Sequence, residues 1–193
     1  MSTIPNYSEL TDEAVVAIAV KNIDIFEVIV ERYESKLLRY IHRISAFSSE
    51  EAEEILQEVF IKAWKNLHGF STKLKFSSWI YRIAHNTVID AFRKSKSRGE
   101  DQQVELSEEL FIPAKESFVT AFDAELSAAN IAEVLRSIPE KYREVLVLHF
   151  LEDKDYLEIC DILKCPKGTV AVRMSRAKEI FRKTAENLGI KFL

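Results

Sequence analysis

Residues that break helices are scarce in this chain, which has four glycines and four prolines among 193 residues. Apolar side chains recur every three or four positions over most of its length. This spacing is typical of the buried face of an amphipathic helix, whereas a half-buried strand alternates. We therefore predict an all-α protein, long enough for one large or two small domains.

Long apolar runs are absent as well. No stretch reaches the roughly 18 residues that a membrane-spanning helix needs. The first residues, MSTIPNYSELTDE, lack the basic start and the apolar centre of an export signal. These absences predict a cytoplasmic protein with no direct membrane insertion.

Residues typical of metal sites and catalytic sites are also few. Cys160 and Cys165 have no histidine pair near them, and the four histidines are scattered without a ligand spacing. There is no Gly-rich phosphate loop or nucleophile motif, which counts against an all-α hydrolase, the enzymatic alternative. We expect no metal, no cofactor, no small-molecule substrate and no enzymatic activity, and we expect both thiols to be reduced and buried.

Charge is unevenly distributed along the chain, whose net charge is −4. Residues 99–134 hold nine acidic residues and one lysine, whereas residues 166–193 hold seven basic residues and two acidic ones. We interpret residues 99–124 as an acidic linker between two parts that are neutral to basic. One hypothesis is that this linker covers the basic helices of the free protein and suppresses stray DNA binding. The alternative is an ordinary solvated connector.

The first half of the chain is predicted to form four helices. The residues predicted to start or cap them are Thr11, Asp24, Ser48 with Ser49, and either Ser77 or Ser78. In the third helix the apolar spacing places Trp64 on the inner face, and Gly69 lies where a helix commonly ends.

The fourth of these helices, predicted over residues 76–94, has two distinct faces. An apolar face includes Ile80, Ala84 and Val88, while Arg82, Asn86 and Arg93 lie within about 40° of one another on another side. Trp79 and Asp90 flank that polar face. Arginine can hold phosphate, and an amide and an indole can read or stack bases. The simpler alternative is an amphipathic helix with ordinary surface arginines.

The second half begins a new helical block near Glu125. Ser137 and Glu140 fit a capping box for its second helix, and Asp155 is placed at the start of a third. A break at residues 165–168 then leads into the last helix. A short helix, a tight turn and a helix with a basic outer side are typical of a helix-turn-helix.

The second helix of such a motif enters the DNA major groove. Its inward positions are predicted to be Val170, Met174, Ala177 and Phe181. The residues placed to contact DNA are Lys167, Thr169, Val172, Arg173, Ser175 and Arg176. Arginine can pair with guanine or hold phosphate, and an exposed valine suits a thymine methyl group. An αα-hairpin with a merely basic surface is the alternative.

Two long blocks of the sequence resemble the extracytoplasmic-function (ECF) group of the sigma-70 family of bacterial sigma factors. The segments EEILQEVFIKAWKNLHGF and KFSSWIYRIAHNTVIDAFRK resemble region 2 of the family. The segment LRSIPEKYREVLVLHFLEDKDYLEICDILKCPKGTVAVRMSRAKEIFRK resembles region 4. The resemblance implies a region 2 domain over residues 1–98, the acidic linker over 99–124, and a region 4 domain over 125–193.

The resemblance further implies a promoter-recognition subunit of RNA polymerase. Its partners would be promoter DNA, the β′ clamp and β flap of core polymerase, and an anti-sigma factor. The residues implied for binding polymerase are Glu54, Gln57 and Glu58. Those implied for reading and opening the −10 element are Trp79, Arg82, Asn86, Asp90 and Arg93, and the last helix would read the −35 element.

Two positions depart from the family pattern. Family members usually carry a basic or polar residue and a serine after Gly-Thr-Val, where this chain has Ala171 and Val172. The departure suggests either a −35 sequence read through more apolar contacts or weaker dependence on that element. A DNA-binding regulator that has this helix-turn-helix but does not bind polymerase is the alternative function.

Overall fold

The computed structural model describes residues 7–71, 74–98 and 127–190, which are helical with no strand within these ranges. Eight α-helices are described: α1 (Asp12–Ala19), α2 (Phe26–Ile44), α3 (Ser49–Lys65), α4 (Phe76–Arg98), α5 (Ala128–Ser137), α6 (Glu140–Leu146), α7 (Tyr156–Leu163) and α8 (Lys167–Asn187). We call α1–α4 the N-terminal helices and α5–α8 the C-terminal helices. The prediction of an all-α fold is confirmed.

The N-terminal helices pack around the apolar faces of α2, α3 and α4. Fully buried side chains come from each of these helices, among them Ile29, Leu37, Val59, Ile80 and Val88. Burial of such side chains contributes about 1.5–3 kcal/mol each. The predicted apolar face of α4 is therefore its core face, and its polar face points elsewhere.

Local caps start several of the predicted helices. The Thr11 side chain accepts a hydrogen bond from the Ala14 N–H at 3.3 Å, and Ser48 forms a capping box with Glu51. Three of the predicted caps are wrong, and the first is Asp24. Asn22, rather than Asp24, caps the turn that leads into α2, because that turn is a short 3₁₀ segment.

The start of α4 depends on a residue far away in the sequence. The helix begins at Phe76, whose N–H donates to Glu13 Oε1 at 2.8 Å. Ser77 and Ser78, the predicted caps, instead donate to Glu158 Oε1 at 3.3 and 3.4 Å. A capping group supplied by α1 replaces the local serine, so the prediction was wrong about the cap although right about the helix.

The C-terminal helices form a second group. Asp155 caps α7 through the Leu157 and Glu158 N–H groups, as predicted. Lys164 then adopts a left-handed conformation with φ of 52°, which makes the tight turn into α8. The predicted capping box at Ser137 is absent, because its hydroxyl donates to the Glu133 carbonyl at 2.9 Å and Pro139 precedes α6.

Three further expectations differ from the structure or lie outside it. Trp64 is 46% exposed rather than on the inner face of α3, and α3 ends at Lys65, before Gly69. Cys160 and Cys165 are free but only partly buried. The acidic linker, residues 99–124, lies outside the described residues. Among the described helices, none has the length and apolarity to span a membrane.

The two groups of helices pack against each other, mainly through α4 and α7. The apolar cores of both groups belong to one continuous cluster of buried side chains. Helix α4, which carries the candidate DNA-reading residues, is therefore partly covered by the C-terminal helices.

Candidate nucleic-acid interface

The polar face of α4 is divided between solvent and the covering helices. Asn86 is exposed, and Arg93 is exposed with its guanidinium 3.5 Å from Asp90. Arg82 is half-buried, and its Nη1 donates to the Asp161 carbonyl of α7 at 3.4 Å. The three side chains predicted to share a face do lie on one side of α4, but one of them is engaged by the C-terminal helices.

A lysine of α3 connects this face to the neighbouring helix. Lys62 Nζ lies 2.9 Å from Glu58 and 3.9 Å from Asp90, and it donates to Thr87 Oγ1 at 3.2 Å. The hydrogen bond and charge of Lys62 lower the pKa of Glu58. Asp90 thus lies between two cations, Lys62 and Arg93.

Trp79 belongs to an aromatic cluster at the start of α4. Its ring centroid lies 5.4 Å from those of both Phe70 and Phe76, and the side chain is half-buried. Phe70 comes from the loop after α3, a position whose role the sequence pattern did not indicate. The indole therefore packs against two phenylalanine rings while part of it stays accessible.

The residues implied for binding polymerase lie on the outer side of α3. Glu54 and Gln57 are exposed, and Glu58 is half-exposed. Ile61 and Trp64, each nearly half exposed, follow Gln57 at intervals of four and three residues. This spacing places them on one stripe of the helix, so an apolar strip that sequence reasoning missed lies beside the acidic residues.

In the last helix, the positions predicted to face inward are buried, and most of those predicted to contact DNA are exposed. Val170, Met174, Ala177 and Phe181 are buried, while Lys167, Val172, Ser175 and Arg176 are exposed. Thr169 is half-buried near the start of the helix. Val172 is 53% exposed, so its methyl groups are accessible to a partner.

Arg173 faces the N-terminal helices rather than open solvent. It is half-buried, and its charge acts on both His85 of α4 and Glu144 of α6. His85 Nδ1 lies 3.6 Å from Glu144 Oε1. Burial, with a smaller effect of Arg173, lowers the pKa of His85 to about 4. Burial, with the charge of Glu140, raises the pKa of Glu144 to about 7.

A buried ion pair joins the two groups of helices at a place no sequence motif marked. Arg43 Nη1 lies 2.6 Å from Glu152 Oε1, and Tyr81 Oη donates to Glu152 Oε2 at 2.7 Å. Lys154 Nζ lies 4.4 Å from the centre of the Tyr81 ring and donates to Ser77 Oγ at 3.2 Å. The turn that precedes α7 is thereby fixed against α2 and α4.

Two features define a DNA-binding protein with two candidate contact faces. One is a helix-turn-helix whose second helix is basic and exposed. The other is the long helix α4, which exposes an asparagine and an arginine. Residues 29–98 match the family Sigma-70 region 2, and residues 118–180 match Sigma-70, region 4. Over 171 residues, the chain is 36% identical to the ECF RNA polymerase sigma factor SigW of Bacillus subtilis. The matched region covers 86% of this chain and 91% of that protein. It therefore belongs to the ECF group of the sigma-70 family, and its role is that of an RNA polymerase sigma factor in promoter recognition.

A second relative agrees with this assignment, and two solved structures share the fold. The RNA polymerase sigma-H factor of Pseudomonas aeruginosa is 31% identical, over 84% of this chain and 87% of that protein. The fold resembles that of CnrH, solved in complex with the cytosolic domain of CnrY, with a TM-score of 0.67, 21% identity, and coverage of 91% of this chain and 97% of that chain. It also resembles the sigma factor RpoE in complex with the anti-sigma factor NepR from Bartonella quintana, with a TM-score of 0.65, 20% identity, and coverage of 83% and 96%.

Proposed function

We propose that this sigma factor reads two separate promoter elements with its two groups of helices while both are mounted on core RNA polymerase. Residues 1–98 would serve as the region 2 domain, residues 99–124 as the acidic linker and residues 125–193 as the region 4 domain. The chain supplies recognition and positioning, and polymerase supplies the catalytic chemistry, so the protein itself is not an enzyme. Its place of action is the bacterial cytoplasm.

Region 2 reads and opens the −10 element with Trp79, Arg82, Asn86, Asp90 and Arg93. The exposed amide of Asn86 supports this role, because an amide can both donate to and accept from a base edge. Arg93 lies on the same side and can hold a neighbouring phosphate. Taking a base out of the stack costs a few kcal/mol, which contacts of this kind offset.

Region 4 reads the −35 element with the first half of α8, using Lys167, Thr169, Val172, Arg173, Ser175 and Arg176. The exposure of Arg176 and Val172 supports a mixed readout, with guanidinium contacts to guanine or phosphate and an apolar contact to a thymine methyl group. Arg173 takes part only after it leaves the neighbourhood of His85 and Glu144. The C-terminal helices must therefore move away from α4 before the whole face can meet DNA.

Polymerase binding uses Glu54, Gln57 and Glu58 on the β′ clamp, with region 4 on the β flap. The outer side of α3 supports this docking, because two carboxylates and an amide lie beside the exposed apolar side chains of Ile61 and Trp64. Such a surface offers both charge and buried area to a partner. An anti-sigma factor is a further expected partner, as for the related fold of RpoE, which was solved with NepR.

The observation that carries the proposal is the pairing of two separate DNA-facing helices, α4 and α8, in one chain with region 2 and region 4 matches. The test mixes purified chain with core polymerase at micromolar concentration and follows co-elution. It then assays run-off transcription on a randomised promoter library. We expect a stable complex and transcripts that share two spaced sequence elements. DNA binding without co-elution would instead indicate a regulator that does not bind polymerase.

A further inference from the structure

We propose that region 2 carries a phosphate-binding surface for the DNA backbone, formed by Arg43, Lys75, Ser77, Ser78 and Tyr81, and that carboxylates of region 4 occupy it in the free chain. We call these five residues the region 2 anion surface. The inference goes beyond the proposed −10 contacts, none of which includes these residues, and it relies on that proposal only for promoter DNA as the eventual ligand.

The carboxylates that pair across the interface between the two groups of helices all come from one side. Arg43 and Lys75 on the N-terminal side pair with Glu152, Asp155 and Glu158, which lie in α7 and in the turn before it. Lys154 of the same turn also reaches the N-terminal side, where it donates to Ser77 Oγ and lies over the Tyr81 ring. Two separate sets of donors on the N-terminal side therefore each hold a carboxylate, as a site that accepts an anion would.

The best-formed part of the surface is the Glu152 site. One carboxylate oxygen lies 2.6 Å from Arg43 Nη1, and the other accepts from Tyr81 Oη at 2.7 Å. Guanidinium and hydroxyl groups that hold both oxygens of a carboxylate suit two oxygens of a phosphodiester equally well. Protein–DNA backbone contacts use these same donor types.

The second part is the Glu158 site at the start of α4. Lys75 Nζ lies 3.3 Å from Glu158 Oε2 and 3.5 Å from Asp155 Oδ2, and the two carboxylates raise the pKa of this lysine. The hydroxyls of Ser77 and Ser78 donate to Glu158 Oε1. One ammonium and two hydroxyls thus converge on a single carboxylate, an arrangement that a phosphate can replace without rearranging the donors.

Exchange of one anion for another explains why the surface is covered rather than bare. Arg43 and Tyr81 are buried, so removing the carboxylate while they stay covered would leave donors of both residues without this acceptor, at a cost of about 1–3 kcal/mol each. The carboxylates satisfy these donors until DNA does so. They also place α7 beside Arg82, so the free chain presents region 2 to stray DNA with its cations already paired.

The test measures binding of a fluorescent 20-nucleotide poly-dT strand to the full-length free chain by anisotropy at several salt concentrations. The variant is Glu152→Gln with Glu158→Gln, which keeps side-chain size and removes the two competing charges. We expect about tenfold tighter binding at 50 mM salt, with a slope of log K against log salt steeper by about 1.4, as two added phosphate contacts on single-stranded DNA require. Circular dichroism checks that the helices remain.

The matched control is Glu133→Gln with Glu186→Gln, two exposed acids of the C-terminal helices. It makes the same change in net charge, so an equal gain in this control would overturn the proposal. Adding Lys75→Ala and Ser77→Ala to the first variant should reduce its gain to about threefold, the share of the Arg43 and Tyr81 site, and retention of the full gain would equally contradict the surface. If loss of Glu152 unfolds the chain, Glu158→Gln alone keeps the Arg43 pair, and a gain of about threefold is expected.

The result is separable from the proposed function. Co-elution with core polymerase and run-off transcription are measured on the wild type and on the double acid variant. If core polymerase with the wild-type chain starts no transcript, the promoter role fails, whatever the affinity of the chain for poly-dT. If the wild type initiates normally while the acid variant binds poly-dT no more tightly than the control, the region 2 anion surface is wrong and the promoter role stands.

Discussion

Glu152 and Arg43 form an ion pair of 2.6 Å between side chains that are each only 5% exposed, although 109 residues separate them in the chain. The arginine lies in α2, and the glutamate lies in the turn that precedes α7. A buried pair of this kind favours one arrangement mainly because separating the two charges leaves a lone buried charge, which is strongly destabilising. It therefore specifies one arrangement of the two groups of helices.

Breaking this pair from one side should weaken the closed arrangement strongly. We expect Arg43→Met to lower the free energy of unfolding by about 3 kcal/mol, since Glu152 would remain buried without its cation. Replacing both partners, with Arg43→Met and Glu152→Leu, should recover much of that loss. Urea unfolding, monitored by circular dichroism, measures the free energy of unfolding of both variants. The control Arg93→Met removes an exposed pair with Asp90 and should cost under about 1 kcal/mol; an equal loss in both arginine variants would contradict the role of the buried pair.

Local sequence signals predicted the helices well and the contacts between helices poorly. The Ser48–Glu51 and Asp155–Glu158 caps are formed within four residues, so their local spacing favours a helix start, although the same spacing at Ser137 and Glu140 gives no capping box. Ser77 is also a residue type suited to an N-cap. Its hydroxyl is instead directed to Glu158, 81 residues away, because α4 already has its cap from Glu13.

The candidate site shows the same limit. Helical periodicity is enough to place Asn86 and Arg93 on one side of α4 and to separate the buried and exposed positions of α8. It carries no information about what covers a face. Arg43 follows His42 near the end of α2 in a pattern that suits a surface arginine, and only the approach of the turn at Glu152 makes it a buried one. The roles assigned to individual DNA-contacting residues stay predictions.

The His85 and Glu144 pair predicts a narrow pH dependence. Glu144, with its pKa raised to about 7, binds more protons in the folded chain than in the unfolded one between about pH 4.5 and 7. Stability therefore rises as pH falls through 7. His85, with its pKa lowered to about 4, binds fewer protons in the folded chain between about pH 6.5 and 4, which opposes that rise below 6.5.

We therefore expect the urea midpoint to increase from pH 8 to about 6.5 and then to level off. Glu144→Gln should remove the increase, while His85→Asn should extend it to lower pH. The burial of His42 also lowers its pKa, so each variant is compared with the wild type at every pH. Identical pH profiles for Glu144→Gln and the wild type would show that this carboxyl does not control the transition.

Asn86→Ala tests the −10 assignment. We expect assembly with core polymerase to be unchanged and the yield of open complex to fall by about tenfold, since loss of a good base contact costs about 1–3 kcal/mol. Permanganate reactivity of unpaired thymines measures opening. Ser97→Ala, an exposed position nearer the end of the same helix, serves as the control. Unchanged opening in the asparagine variant would remove Asn86 from the reading face.

Arg176→Ala distinguishes base reading from phosphate binding at the −35 element. A guanine contact predicts a loss of about 1–3 kcal/mol at one base pair and relaxed preference there. A phosphate contact predicts a loss that is uniform across sequences and a salt slope smaller by about 1. Promoter binding by the holoenzyme, measured on single-base variants of the element at several salt concentrations, separates the two. Val172→Ser should affect only promoters with a thymine at the contacted position.

Gln57→Ala combined with Glu58→Lys tests docking of α3 on polymerase. The reversal replaces the Glu58 carboxylate, which lies 2.9 Å from the Lys62 ammonium in the wild type, by a second cation, so the docking charge is reversed and the local ion pair becomes a like-charge contact. We expect core polymerase to bind at least about tenfold more weakly, because a partner surface that attracts the Glu58 carboxylate repels a lysine at that position. The control Glu31→Lys reverses an exposed acid of α2.

Trp64→Ala should weaken the same complex without changing net charge, because an exposed aromatic beside a charged rim is typical of an interface anchor. Wild-type assembly in both α3 variants would require polymerase to dock elsewhere on the chain, and the free surface of region 4 would then be the next to test.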